Sequence, residues 1–336
     1  MNLSRYIGFY YDLMNYLFRF YFFDEPELLS FQDRQFRIAI KSAFTNIIFY
    51  RNKFLENNID LDKAYNLSQI RTFPFVTPEV LFTQPKRVRT YGGCSYMTLR
   101  STGAVTGKPK DVYLSSSDWS YFRRLAYLRM FITSGCSLFD KTLFLRPPQS
   151  LFDIKPKWFW NIGLMREKIV SAAKSELGQI ISSDLYKADV LNCLTDDSLA
   201  LADLLQRENK RVYRLKRLFT TKTTGEVLDE KERQIIAAAL CEKITDFYAS
   251  SEAGIIAWQC SKAGVYHINA DQVYVEITDG ERVCHDGESG EVTITTLSAR
   301  SSPLIRYKTG DSAVLKRGRC GCGSRFPSLS HITGRK

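Results

Sequence analysis

Apolar positions recur at helical spacing from Phe31 to Phe54, and the pattern stops at Asn57-Asn58, so this stretch reads as helix. Residues 1–85 as a whole read as a mainly helical cap or scaffold. Phe73-Pro74 and Thr77-Pro78 punctuate the chain. From Val88 onward short apolar strands alternate with amphipathic stretches such as Asp118 to Thr133 and Ala188 to Arg207, the pattern of an α/β core over 86–262. After about Gly264 the texture changes to short strands between glycine turns. Val273-Tyr274-Val275-Glu276-Ile277 and Gly290-Glu291-Val292-Thr293-Ile294-Thr295 predict a small, barrel-like β subdomain over 263–336. The chain carries no internal repeat, low-complexity tract or long flexible linker.

With 336 residues, 44% of them hydrophobic, the chain can bury a substantial core, which excludes a disordered tail or a disulfide miniprotein. Lys and Arg number 47 against 36 Asp and Glu, a net charge of +11, which points to an anionic partner without choosing among nucleic acid, membrane and a phosphorylated metabolite. Eight cysteines without a secretory signal fit a reducing compartment, and a cytoplasmic location is expected. The segment Ile7 to Phe23 is rich in aromatics but is broken by Asp12, Asn15 and Arg19 and is too short to span a bilayer. A helix packed on the rest of the protein is the favoured reading of it, with a membrane surface or a partner as the alternatives.

Three segments offer nucleotide chemistry. Ser101 to Lys110, STGAVTGKPK, follows a short segment, Tyr96 to Leu99, that reads as a strand; its hydroxyls, glycines and lysine suit a phosphate cradle, although the Walker order is absent and a solvated loop has the same composition. Phe247 to Gly254 sets a tyrosine, serines and a glutamate together, which suits a purine, a phosphate oxygen and Mg²⁺, or simply a helix start. In Arg306 to Asp311 a carboxylate at a tight turn suits ribose hydroxyls, or marks an ordinary Gly-Asp hairpin.

The most specific chemistry lies in the cysteines. Cys320-Gly-Cys322-Gly presents two thiolates on one turn-rich segment, and Cys260 and His267 straddle the Gly264 turn, giving a Cys₃His set for a structural Zn²⁺. Cys94, Cys136, Cys193 and Cys284 are scattered and read as small buried residues. His285 and His331 read as surface residues. Lys210, Arg211, Arg214, Lys216 and Arg217 form a basic cluster, but no nucleic-acid motif accompanies it, so a solvated face is expected there and no nucleic-acid partner. A Ser-His-Asp order and a nucleophile elbow are both absent.

Taken in order, these motifs resemble the adenylate-forming superfamily of acyl-CoA synthetases and nonribosomal peptide adenylation domains, and within it the branch of phenylacetate-CoA ligase and its capsule-cluster relatives. Phe49-Tyr50-Arg51, Phe73 to Thr77, Ser101 to Lys110, Thr224-Gly225-Glu226, Tyr248 to Glu252, Cys260 to Glu276, Pro303 to Asp311, Cys320 to Gly323 and Ile332-Thr333-Gly334-Arg335 all take part, so the resemblance covers nearly the whole chain. It implies an α/β large domain of layered sheets with flanking helices, holding the nucleotide and acid sites, and an ATP-dependent, AMP-forming acid–thiol ligase. A carboxylate would attack the ATP α-phosphate, and a thiol of CoA or of a carrier protein's phosphopantetheine would then displace AMP.

The resemblance also implies roles. Ser101, Thr102, Gly103, Thr106, Gly107 and Lys108 would hold the β- and γ-phosphates, Gly225 and Glu226 would lie at the adenine, and Tyr248 would stack on it. Ser251 would touch the α-phosphate, Glu252 would coordinate Mg²⁺, Asp311 would bind the ribose and Arg335 would contact the nucleotide. Lys108, Ser251 and Glu252 are the residues nearest the chemistry. Zinc on Cys260, His267, Cys320 and Cys322 would brace the β subdomain. In the family a lysine-bearing C-terminal domain follows the Gly-Arg hinge, so such a domain is expected either to belong to a longer form of the chain or to come from a separate polypeptide, and this chain alone to be slow, as a monomer or a dimer. A nucleotide- or partner-binding relative without adenylation is the alternative. The acid pocket is expected within 115–225, where Trp158, Phe159 and Trp160 suit either an aromatic pocket or the core.

Overall fold

The computed structural model describes residues 14–17, 19–61, 63, 65–92, 96–100, 111–115, 118, 123–146, 165–173, 176–212 and 214–334, with 87 and 96–100 described as backbone. Its helices are α1 (Glu25–Asn46), α2 (Ile48–Glu56), α3 (Pro78–Thr83), α4 (Lys86–Arg89), α5 (Arg124–Thr133), α6 (Leu177–Ser183), α7 (Thr195–Arg207) and α8 (Glu230–Ala239). The strands are β1 (Tyr96–Arg100), β2 (Asp111–Ser115), β3 (Thr142–Arg146), β4 (Glu167–Ser171), β5 (Val190–Leu194), β6 (Arg217–Thr221) and β7 (Ile244–Ser250). They continue with β8 (Gly254–Gln259), β9 (Tyr266–Ile268), β10 (Val273–Asp279), β11 (Arg282–Val283), β12 (Ser289–Thr296), β13 (Tyr307–Lys316) and β14 (Ser328–Thr333).

Twelve strands form one sheet in the order β11-β10-β12-β13-β14-β9-β8-β7-β6-β5-β3-β4. The β4-β3-β5-β6-β7 half is parallel, and from β7 to β11 every pairing is antiparallel, so the switch falls at β7, earlier than the change of texture near Gly264, because β8 already pairs back on β7. The parallel half is covered on both faces, as parallel sheets require. Leu143, Leu191, Leu218 and Ile244 pack with α6, α7 and α8 on one face. Val190, Phe219 and Phe247 join the large cluster containing Met130 and Phe131 of α5 on the other.

The expected helix over Phe31–Phe54 is two helices, because Ile47 is extended (φ −123°, ψ 107°) between α1 and α2. Asp24 and Glu27 form a capping box that starts α1, and Asn58 (φ 54°) follows the α2 C-cap as its asparagines predict. The stretch Ala188 to Arg207 opens as the strand β5 before becoming α7, and four consecutive residues, Val190 to Cys193, are buried, as in a doubly covered strand. Gly310-Asp311 is no hairpin turn. It lies inside β13, at a bulge where the register jumps from Thr293↔Lys308 to Glu291↔Ser312, leaving Thr309 to Asp311 opposite Val292 alone. Ser251 and Glu252 start no helix; they occupy the turn joining β7 to β8.

The aromatic N-terminal segment packs as a helix where it is described. Tyr16, Leu17 and Phe20 are buried, and no helix among the described residues is long and apolar enough to cross a membrane. Arg129 of α5 anchors this segment. Its fully buried guanidinium donates to both carboxylate oxygens of Asp271 (2.6 and 2.7 Å), to Asn269 Oδ1 (2.6 Å) and to the Tyr16 carbonyl, and it lies 3.8 Å from the centre of the Tyr16 ring. The basic cluster is neutralised in place. Lys210 pairs with Glu208, Arg211 with Glu242, Arg214 with Asp189 and Lys216 with Asp140, leaving the solvated face expected of it.

Cys136, Cys193, Cys241 and Cys284 are buried, Cys241 being the one that its sequence context did not single out, and Cys94 lies outside the described residues. His285 and His331 are exposed.

Candidate functional site

Segments far apart in sequence meet at the carboxyl end of β7. Tyr248 is buried there, its hydroxyl 2.6 Å from Asp311 Oδ2 and 3.3 Å from Thr309 Oγ1. The Thr309 hydroxyl donates to Val292 O (2.9 Å) and its oxygen accepts the Asp311 N–H (3.1 Å), which fixes the bulge that carries Asp311.

Glycines make the approach of the other segments possible. Gly225 (φ +82°) presses on Asp311 so closely that a Cβ there would lie 2.5 Å from Asp311 Oδ1. A Cβ on Gly334 would lie 2.5 Å from Thr224 O and 2.9 Å from Glu226 Cγ. Thr224-Gly225-Glu226, Tyr248, Thr309 to Asp311 and Gly334 therefore form one cluster, with the Glu226 side chain exposed at its edge and touching Thr224 Oγ1 at 3.3 Å.

Ser251 and Glu252 follow at the β7–β8 turn, both partly exposed, with the Tyr307 hydroxyl 3.4 Å from Glu252 Oε1. The Arg123 guanidinium donates to the Ser251 carbonyl. Burial pulls its pKa down to about 10, while the negative charges of Glu252 and Asp118 act in the opposite sense. Nothing in the sequence singled out Arg123, since an arginine before an amphipathic helix is ordinary; only the fold brings it under the turn.

The strand carrying Asp311 is braced from behind by the segments near Tyr50 and Phe73. Tyr50 donates to Pro303 O (2.9 Å) and accepts from Ile305 N (3.2 Å), and Val76 bridges to the start of β13 through Val76 N to Arg306 O (3.0 Å) and Lys308 N to Val76 O (2.9 Å). Arg306 is buried in a left-handed conformation (φ 47°). It pairs with Glu276, donates to Phe73 O and lies 3.9 Å from the Phe75 ring centre, so it ties three elements together.

Strands β1 and β2 pair directly, Arg100 opposite Asp111, with the Ser101 to Lys110 segment between their ends. Ser101, Thr102, Gly103, Thr106, Gly107 and Lys108 themselves lie outside the described residues, as do Arg335 and Trp158, Phe159 and Trp160.

Away from this cluster, the donor atoms of Cys260, His267, Cys320 and Cys322 all lie within 4.8 Å of one another. Cys260 Sγ is 3.9 Å from Cys320 Sγ, and Cys322 Sγ is 3.2 Å from His267 Nε2. Burial lowers the His267 pKa to about 4, keeping the imidazole neutral and able to ligate at neutral pH. Phe20 meets the His267 ring edge-on at 5.2 Å and also packs on Trp258 and Phe326. The N-terminal helix thus roofs these four residues.

No family model matches the chain. Three curated phenylacetate-coenzyme A ligases align with 92% of it: 22% identical in Thermus thermophilus, 26% in Pseudomonas putida and 24% in Escherichia coli K12, covering 70–71% of those proteins. The fold matches a 2-hydroxyisobutyryl-CoA ligase, crystallised in an open conformation with an acyl-AMP and CoA, at a TM-score of 0.79 and 19% identity over 94% of this chain and 77% of that one. The chain is similar over 92% of its length to phenylacetate-coenzyme A ligases and shares the fold of a 2-hydroxyisobutyryl-CoA ligase. In this adenylate-forming fold the mixed sheet with helices on both faces is the α/β architecture that the motifs implied. Its described motif residues gather at the carboxyl end of β7, and Tyr248 there is only 4% exposed, so its ring has little free face for the stacking expected of it.

Proposed function

We propose that the chain activates a carboxylic acid with ATP as an acyl-adenylate and passes the acyl group to a thiol, of CoA or of a carrier protein's phosphopantetheine. The observation that carries this reading is the convergence of Thr224 to Glu226, Tyr248, Ser251-Glu252, Thr309 to Asp311 and Gly334 at the end of β7. The named relatives, all acid–CoA ligases, support it.

Asp311 is oriented by the Tyr248 hydroxyl and would accept the ribose hydroxyls, while Gly225 and Glu226 would border the adenine. Tyr248 would serve the nucleotide mainly through its hold on Asp311. Ser251, on a turn held by Arg123, would meet the α-phosphate. The segment from Ser101 to Lys108 would hold the β- and γ-phosphates, and Arg335, next to the Gly334 contact, would add a cation. In the adenylation step substrate carboxylate and α-phosphate are both anions, so the protein's task there is positioning and charge neutralisation; only the later thiol step releases a proton, from the S–H.

Glu252 would hold Mg²⁺, a hard cation suited to a partly exposed carboxylate, and the ion would neutralise phosphate charge. Zn²⁺ fits Cys260, His267, Cys320 and Cys322. Tetrahedral zinc with Zn–S near 2.3 Å needs sulfurs about 3.8 Å apart, and the Cys260–Cys320 separation is 3.9 Å. Zinc there would brace β8, β9 and the 320–322 turn, a structural role.

The test is acid-dependent pyrophosphate release from ATP over aryl, fatty and amino acids, with and without a lysine-bearing small domain from a phenylacetate-CoA ligase supplied in trans. Release that depends on one class of acid supports the reading. Absence of release with every acid under both conditions refutes it.

A further inference from the structure

The segment Thr224 to Leu228 lies between β6 and α8, and its backbone is tied to the sheet by the Leu228 N–H, which donates to Asp246 Oδ2 (2.8 Å). Asp246 is buried in β7, and the same carboxylate oxygen accepts the Tyr266 hydroxyl at 2.7 Å. Burying a carboxylate costs free energy that its hydrogen bonds must offset. Both bonds to this oxygen serve elements of the candidate sites. Leu228 is three residues from Gly225, no more than about 10 Å of chain, and Gly225 is the residue pressed against Asp311. A shift of Leu228 therefore reaches the Asp311 end of the cluster.

The strand register shows what holds Tyr266. Phe247 lies opposite Trp258 and Trp258 opposite His267, while Gln259 lies opposite Tyr266, so Asp246 falls beside Gln259 in the neighbouring row. Side chains alternate between faces along each strand, so Tyr266 and His267 leave the β8–β9 hairpin on opposite sides. On the His267 side lies the Cys₃His set; on the other lies Asp246. The other strand of the hairpin does the same. Gln259 immediately precedes the ligand Cys260, and its Oε1 accepts from the guanidinium of Arg233 (2.8 Å) in α8, the helix that follows the Thr224 to Leu228 segment. The turn itself is closed by Cys260 N–H to Val265 O (2.7 Å). One hairpin thus carries two metal ligands and, next to each in sequence, a side chain that holds the far side of the nucleotide cluster.

We propose that Tyr266 and Asp246 are positioning residues for the Thr224 to Leu228 segment, and that through them the metal bound at Cys260 and His267 sets nucleotide affinity. With the hairpin closed by metal, Tyr266 keeps Asp246 aimed at the Leu228 N–H and Gly225 stays against Asp311. With the metal removed, the hairpin loosens and the segment loses its anchor. The proposal rests on the ligase reading and on the four-ligand metal site, and it adds a link between them.

The test is calorimetric titration of AMP into the full chain, with zinc bound and after its removal by a chelator under reducing conditions, beside amide hydrogen exchange of residues 222–229. Zinc-bound Tyr266→Phe should bind AMP about threefold or more weakly than wild type, as partial loss of one hydrogen bond implies. Its zinc content should be unchanged and its faster exchange concentrated at 222–229, where a general loosening would speed β8 and β9 as well. Asp246→Ala should lose at least as much affinity, and Asp246→Asn, which keeps an acceptor for the Leu228 N–H, should retain most of it. Zinc removal should weaken AMP binding to wild type and much less to Tyr266→Phe, in which the link is already cut. Equal weakening of both proteins by zinc removal, or a chain that binds AMP but takes up no zinc, overturns the proposal. If zinc removal or Asp246→Ala unfolds the chain, zinc-bound Tyr266→Phe still decides. AMP binding indifferent to Tyr266→Phe overturns the proposal and leaves the ligase reading standing; absence of AMP binding to the wild-type chain overturns both.

Discussion

Gly225 gives the sharpest handle on the nucleotide cluster, because substituting it removes no side chain and displaces Asp311 by contact. In Gly225→Ala the new methyl would sit 2.5 Å from Asp311 Oδ1, 2.8 Å from Cγ and 2.9 Å from Oδ2, where ordinary contact needs about 3.5 Å. The carboxylate must move, and it loses the 2.6 Å bond from the Tyr248 hydroxyl, a charge-assisted bond worth about 1.5–3 kcal/mol. The left-handed backbone at φ +82° adds roughly 1–2 kcal/mol of strain for a residue with a Cβ. The two effects give a loss of about 2.5–5 kcal/mol, which for a chain of 336 residues lowers Tm by roughly 4–7 °C. A displaced Asp311 also forfeits its bond to the ribose, so AMP should bind at least about tenfold more weakly. Thermal unfolding and calorimetric AMP titration read the two effects separately. If the variant binds AMP as the wild type does, Asp311 does not hold the nucleotide from this position.

Asp271→Ala should destabilise the chain by about 3–5 kcal/mol, because it leaves the Arg129 cation buried without its carboxylate; the double variant Arg129→Met/Asp271→Leu should recover much of this in denaturant unfolding, and equal losses would contradict the account. Purified protein should carry close to one equivalent of zinc by elemental analysis, lost in Cys320→Ser, and zinc-free wild-type protein would refute the four-ligand site. Burial raises the Asp246 pKa even though Leu228 N–H and the Tyr266 hydroxyl bond to it. A folded-state pKa above the unfolded one favours the folded state while the group is protonated, so its contribution is lost as pH rises from the ordinary carboxylate range through the raised value. Asp246→Asn should therefore gain stability relative to wild type over that window, and a constant difference across pH would contradict the shift.

Chemistry proved more legible than geometry. Strand and helix types followed from period and composition, and the Cys260–His267–Cys320–Cys322 set followed from spacing and ligand chemistry, because turn-borne cysteines have few structural uses. The Gly310-Asp311 bulge misled because a glycine beside an aspartate signals a hairpin by local propensity, whereas here β12 and β14 pair on both sides and hold the chain in a strand. The break at Ile47 was hidden by apolar residues that suit a helix as well as a junction. Arg123 was invisible, since a single arginine carries no pattern and only the fold brings it to the Ser251 carbonyl. The aromatic N-terminus was legible as a packing element, but its position over His267 depends on contacts across roughly the full length of the chain.

The most direct test of the central claim is calorimetric titration of ATP and AMP into the full chain with Mg²⁺, beside Asp311→Ala with its fold checked by circular dichroism. The account predicts one nucleotide site per chain, weakened at least about tenfold by Asp311→Ala. Undetectable binding to the wild-type chain, or binding indifferent to Asp311, would contradict it.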